Sequence, residues 1–553
     1  MRRIAPRAKV VLEYKSFFAC DPPENRISII KGISKYHIIC EIVALNYRLK
    51  SKTELLYDNS LETQKVELKY FTKTEHQYNE YYNVIDKFIK KENDYPIIFN
   101  REACLFAIEE IINSDEIVEI PYFDMAKIEV WNSIFKYLIS VNSAIIHHLN
   151  NDKFDRIGFE YLNPKLFTFN ELSIQTDVIF TLYRGYKLLK YFLNNTIFSD
   201  EVKNYFKEIY SLEPERFVSF LINIYIWNSE KDTKFNFLYV ANKDDEIYEL
   251  LKTLSKIEYN ENIFKLISVR KSPFIKTDDT TYLLSDSVFL IEKVYSQFLN
   301  DFWFDRIKLL KDDTGNSKFN YKFYRGNFGY FFEDYISTIL RNCFINYKYS
   351  ILLLFDELKV NNYEIADVYF RYDKKILIGQ VKSGSIYDNE KYGGNIEILY
   401  KNNREKFFKD FGINQIYSSI IDIEKKVQFL DSKFPKNKSY TIYPCIIVND
   451  RALQIPLMAD VFNKRFQELL INFDNKKVKI KPLTIVHIND LERLEEHLNK
   501  NPKYIWDILE YQYQDKYFVP PFYDSLNRQL KKRLVPKRVI ETLKSISLEN
   551  YSI

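Results

Sequence analysis

The spacing of apolar residues changes once along this chain, and that change limits what it can fold into. Up to about residue 310, apolar side chains recur every three or four positions. The segments NREACLFAIEEIINS, AKIEVWNSIFKYLISVNSAIIHHL, DVIFTLYRGYKLLKYFL and SVFLIEKVYSQFLNDFWF all carry this pattern, which predicts helices with one buried face. KVVLEYKSFF and FNFLYVA read as strands among them, giving a small sheet near the start. The polar, turn-rich run KDDTGNSKFN, residues 311–320, marks a boundary. Beyond it a helix (326–344) leads into strand-rich sequence (349–384), then helix (397–429) and the apolar strand YTIYPCIIVND. MADVFNKRFQELLINF, KIKPLTIVHI and NDLERLEEHLNK continue the alternation of helix and strand, which predicts an α/β domain with a mixed sheet covered on both faces.

A chain of 553 residues is too long for one core. The expected organisation is multidomain: a mainly α-helical region over 1–310, an α/β domain over 311–500 and a basic helical tail over 501–553. Hydrophobic and charged fractions of 46% and 28% exclude a wholly disordered chain. The net charge of +4 confines any basic surface to local patches. The 44 Tyr and 44 Phe are expected to be core packing more than base-stacking surface.

Five cysteines at 20, 40, 104, 343 and 445 show no CxxC spacing. A disulfide framework or cysteine zinc site is not expected, and a reducing cytoplasm fits. The adjacent His147 and His148 diverge on a helix and are expected to be structural. Neither a signal peptide, a membrane span nor a P-loop is read in the sequence.

The chemistry concentrates in EIADVYFRYDKKILIGQVKSGS, residues 364–385. A two-residue turn at Asp373-Lys374 pairs residues whose numbers sum to 747. Asp367 then falls opposite Gln380, Ile365 opposite Lys382 and Tyr369 opposite Ile378. The second face holds Ala366, Val368, Phe370, Leu377, Gly379 and Val381 and is wholly apolar. On the surface, an Asp–Lys pair of this kind would contribute about 0–1 kcal/mol and mean little. In the preceding helix the stripe Phe332, Tyr335, Ile336, Ile339, Leu340 and Cys343 puts Glu333 at the edge of the buried face and Asp334 toward solvent. Gly326 and Gly329 are read as allowing close backbone approach there.

A helix Glu, a strand Asp and Gln-x-Lys on the next strand, in that order, resemble the PD-(D/E)XK nuclease superfamily in its Mrr-like branch. The matching residues are Glu333, Asp367, Gln380 and Lys382, over roughly 320–495. The resemblance implies a restriction-endonuclease-like fold and Mg²⁺- or Mn²⁺-dependent hydrolysis of phosphodiesters, most readily in double-stranded DNA. It implies a restriction or anti-phage role. Asp367, the Gln380 side-chain oxygen, the Val381 carbonyl and Glu333 would hold the metal, and Lys382 would orient the attacking water. Gln380 stands where many relatives carry an acid. That substitution keeps open a degenerate module that binds nucleic acid or protein without cutting; RNA is the other substrate. Expected nucleic-acid contacts are Gln415, Lys391, Arg404, Lys531, Lys532 and Arg533, with Lys401, Lys406, Arg528, Lys537 and Arg538 adding basic surface. Residues 1–310 carry no catalytic constellation; a protein partner there, and a homodimer, stay open.

Overall fold

The computed structural model describes residues 10–50, 57–115, 127–150, 171–172, 176–229, 235–259, 263–344, 350–361, 363–384, 408–435, 438–455, 458–514, 519–530 and 532–548. Residues 10–310 are mainly helical. Helices α1 (Lys35–Arg48), α2 (Arg101–Ile112), α3 (Ile128–Asn150) and α4 (Val178–Asn194) follow the three-and-four spacing; the apolar faces of α1, α2 and α3 meet in one core and that of α4 lies in another. SVFLIEKVYSQFLNDFWF forms two helices, Ser287–Glu292 and Ser296–Asp305.

KVVLEYKSFF is no strand. Val11 makes one isolated bridge to Ile97, and Tyr14–Phe18 is a short helix. Its Phe17 and Phe18 pack edge-on against Tyr81 and Phe135, so ring packing overrides strand propensity. The small sheet lies later in the region, from β1 (Leu238–Val240), β2 (Phe274–Lys276) and β3 (Thr281–Leu284), with β3 central. His147 is exposed, and half-buried His148 stacks on Phe264 at 4.0 Å.

After residue 320 the order is α5 (Tyr321–Phe344), β4 (Ser350–Leu354), β5 (Val368–Tyr372), β6 (Lys375–Lys382), α6 (Ile413–Lys426) and β7 (Tyr440–Val448). Next come α7 (Met458–Leu470), β8 (Val478–Ile480), β9 (Thr484–His487) and α8 (Ile488–Lys500). β4, β5 and β6 run antiparallel, and β7 lies parallel to β6. β8 and β9 both continue the sheet on the far side of β7, in parallel. Pro482 between them lacks the N–H a continuous strand would need. The mixed sheet flanked by helices is the expected α/β architecture.

Both faces of the sheet are buried. Val368, Phe370, Leu377, Val381 and Tyr443 join α5, α8 and the helical region in one core. Tyr369, Ile376, Ile378, Ile442 and Ile446 join α6 and α7 in another. The first core runs without interruption from Val178 in α4 to Ile546. It takes in the tail helix α9 (Lys537–Leu548) through Val539 and Ile546. Among the described residues, no helix is long and apolar enough to cross a membrane. All five cysteines are free thiols.

Candidate active site

The hairpin pairs as its alternation predicts. Val368↔Gly379, Tyr369↔Ile378 and Tyr372↔Lys375 all sum to 747, and Asp373 takes the left-handed backbone, φ 50°, that a two-residue turn demands. Beyond Val368 the ladder stops. Asp367 is a bend residue outside the strand, not directly opposite Gln380. Its N–H donates to the Gly379 carbonyl at 3.1 Å, and its Oδ2 accepts the Val381 N–H at 2.6 Å. The carboxylate takes the donor that a continuing strand would have used. Ile365 therefore does not reach Lys382; its N–H donates to Leu358. Ala366 leaves the Val368 face and packs with Tyr369 and Ile378.

β6 outruns β5 by three residues. Among the described residues, Gln380, Val381 and Lys382 pair only with Ile446, Ile447 and Val448 of β7. The space beside them is where Asp367 and α5 bring their acids. In α5 every predicted stripe residue is buried; Glu333 is half-buried at the stripe's edge and Asp334 is exposed. Neither glycine before it is needed for space. A Cβ on Gly326 would meet nothing, and one on Gly329 would lie 3.5 Å from Ser383 Oγ.

Gly412 is the glycine the site requires. It caps α6 with φ 85°. A Cβ there would lie 2.5 Å from Lys382 Cε, 3.4 Å from Gln415 Oε1 and 3.5 Å from Gln380 Cβ. Those distances also place exposed Gln415 beside the strand. Gln380 is buried and donates through Nε2 to Ser419 Oγ at 3.3 Å; Ser419 in turn donates to the Gln415 carbonyl. The amide is thereby oriented with Nε2 toward Ser419.

Burial sets the electrostatics. It raises the Glu333 carboxyl to about 7, helped by the Asp367 and Glu364 charges and opposed by Lys382. It raises Asp367 to about 6 against the pull of Lys382 and the Val381 N–H. It also lowers Lys382, against the attraction of Asp367, Glu333 and Glu364. Two acids and one ammonium thus share a poorly solvated space. Exposed Glu364 adds charge that the motif does not include.

Among the described residues, no three His, Cys, Asp or Glu side chains form a metal-holding group. The donors present are two carboxylates, one amide oxygen and one backbone carbonyl. That set suits Mg²⁺, which takes one or two carboxylates and keeps several waters. Carboxyls pushed up by burial and mutual repulsion would also be relieved by a cation.

Lys391, Lys401, Arg404, Lys406 and Lys531 lie outside the described residues. Lys532 offers its carbonyl to His497 Nε2 at 3.1 Å. Two tail arginines hold the fold: Arg533 pairs with Asp177, and Arg538 with Glu495 and Tyr183 Oη. Both guanidinium groups therefore pair with carboxylates of the fold. No family model matches the chain, and neither does any curated protein or solved structure.

Proposed function

We propose that the chain is a metal-dependent nuclease of the PD-(D/E)XK type that hydrolyses phosphodiester bonds in DNA, with Mg²⁺ or Mn²⁺. One observation carries the reading. The end of β6 gathers Lys382, Gln380 and the Val381 carbonyl beside Asp367 and Glu333, and burial raises both acids against the pull of Lys382. Asp367, Gln380, the Val381 carbonyl and Glu333 would hold the ion, which supplies charge neutralisation at the phosphate and a more acidic water.

The chain's own groups do the rest. Asp367, pinned by the Val381 N–H, fixes the distance between carboxylate and strand. Lys382, seated on Gly412, keeps its ammonium where water and a phosphate oxygen would both accept from it. As the water oxygen attacks phosphorus, its proton passes to solvent or a site carboxylate, and the leaving oxygen takes one up. Restriction or anti-phage defence is the role that suits such an enzyme, by analogy alone. The neutral Gln380 supports a second reading, a module that binds nucleic acid without cutting.

A substrate panel separates these. Single-stranded DNA, double-stranded DNA and RNA are incubated with the full chain, with and without Mg²⁺ or Mn²⁺. Metal-dependent cutting of DNA is expected. Retention without cutting on every substrate would favour the binding module, and cutting confined to RNA would change the substrate class.

A further inference from the structure

A second polar cavity, of about 80 Å³, lies where α4 and the 287–305 helices meet the ends of β7 and β9. Its size admits several waters or one compact anion. Thr176, Arg184 and Asn489 are among the lining side chains that are more than nine-tenths buried. Among the described residues, each carries a donor with no hydrogen-bond partner: Thr176 Oγ1, Arg184 Nε and Asn489 Nδ2.

The orphans are not neglected residues. Arg184 already donates through Nη1 to Glu492 at 2.6 Å and through Nη2 to Asn489 Oδ1 at 3.1 Å. The protein orients these groups and leaves one donor of each unanswered. A buried donor left unsatisfied is costly, so three around one cavity point to acceptors arriving from outside. Arg270, Arg325 and Arg451 also line the cavity. Of its three carboxylates, Glu171 and Glu292 face Arg270 at 3.9 and 3.8 Å, Glu292 also pairs with Arg451 at 2.8 Å, and Asp450 accepts the Ala452 N–H at 2.9 Å. His487 in the wall is held neutral by burial and by the Arg184 and Arg451 charges.

We propose that this cavity binds a phosphoryl group, free or carried by a nucleotide, through Thr176, Arg184 and Asn489. A tetrahedral oxyanion offers only acceptors, which is what the three donors lack. The cavity wall also holds the catalytic strand end. Tyr295 Oη donates to Asn449 Oδ1 at 2.6 Å, and the Asn449 N–H donates to the Lys382 carbonyl at 3.2 Å. Arg325 donates to the Ser383 carbonyl at 3.0 Å. A ligand here would therefore be felt at Lys382. That consequence rests on the nuclease reading; the binding itself does not.

The test is calorimetric titration of the full chain with inorganic phosphate, AMP and adenosine, at constant ionic strength and with EDTA present. Phosphate is expected to bind and adenosine to give no heat. AMP binding more tightly than phosphate would assign a nucleotide, and equal or weaker AMP binding would assign free phosphate. Arg184→Gln is expected to weaken binding at least about tenfold. Thr176→Val, which keeps the shape and removes only the hydroxyl, should weaken it about three- to tenfold, and it carries the test should Arg184→Gln not fold. Lys382→Ala should bind as the wild type does. No heat with either phosphate or AMP would overturn the proposal. So would unchanged affinity in Thr176→Val, or affinity lost only in Lys382→Ala, which would place the anion in the catalytic site.

Discussion

Asp367 shows how one side chain can turn a hairpin into a site. Its carboxylate takes the Val381 N–H, the strand bends, and three residues of β6 are left without a neighbour on that side. The alternation of the hairpin gave its register but not this bend, because a side chain capturing a ladder donor leaves no periodic trace. Glu333 was legible from its place at the edge of a helical stripe. Gly412 was not, since its contact with Lys382 is long-range. Acidity follows from the same burial. The folded state holds Glu333 near 7 against an ordinary 4.5, so it binds a proton that the unfolded chain releases. That contribution is complete below about pH 4.5 and is lost as pH rises through about 7. Urea denaturation of the metal-free protein across this range should show falling stability. Glu333→Gln should flatten the fall, and Mg²⁺ or Mn²⁺ should offset it most at the alkaline end.

At the scale of elements, α6 and β5 frame the site. At the start of α6 the backbone at φ 85° favours glycine, and a Cβ there would push Lys382 Cε aside. Gly412→Ala is expected to destabilise the protein by at least about 1 kcal/mol and to lower cleavage by displacing Lys382. Gly326→Ala, facing open space inside a helix, should leave cleavage intact and hold or slightly raise the melting temperature. Under β5, Arg371 and Tyr369 both donate to Asp431, fixing the sheet to the loop after α6. Asp431→Ala strands a buried guanidinium and should lower unfolding free energy by about 3–5 kcal/mol in urea titrations. Period-two and period-3.6 patterns made these helices and strands readable in advance. KVVLEYKSFF misled because aromatic and β-branched residues suit a packed helix end as well as a strand.

Across the whole molecule, the change of pattern near residue 311 separates two kinds of secondary structure, while a single core spans it. The tail is part of that core. Arg533 reaches Asp177, 356 positions away, a pairing that no local reading of a basic run could supply. Arg533→Ala and Arg538→Ala should lower the melting temperature while leaving the salt slope of DNA binding unchanged, because these guanidinium groups face carboxylates, not phosphates. The claim on which the account turns is that Asp367 and Lys382 perform phosphodiester hydrolysis. The direct measurement is plasmid cleavage with Mg²⁺ or Mn²⁺ by the wild type, Asp367→Ala and Lys382→Ala, each shown to be folded by circular dichroism. The account predicts metal-dependent cutting by the wild type and a loss of at least about a hundredfold in both variants. Undiminished cutting by either folded variant would contradict it.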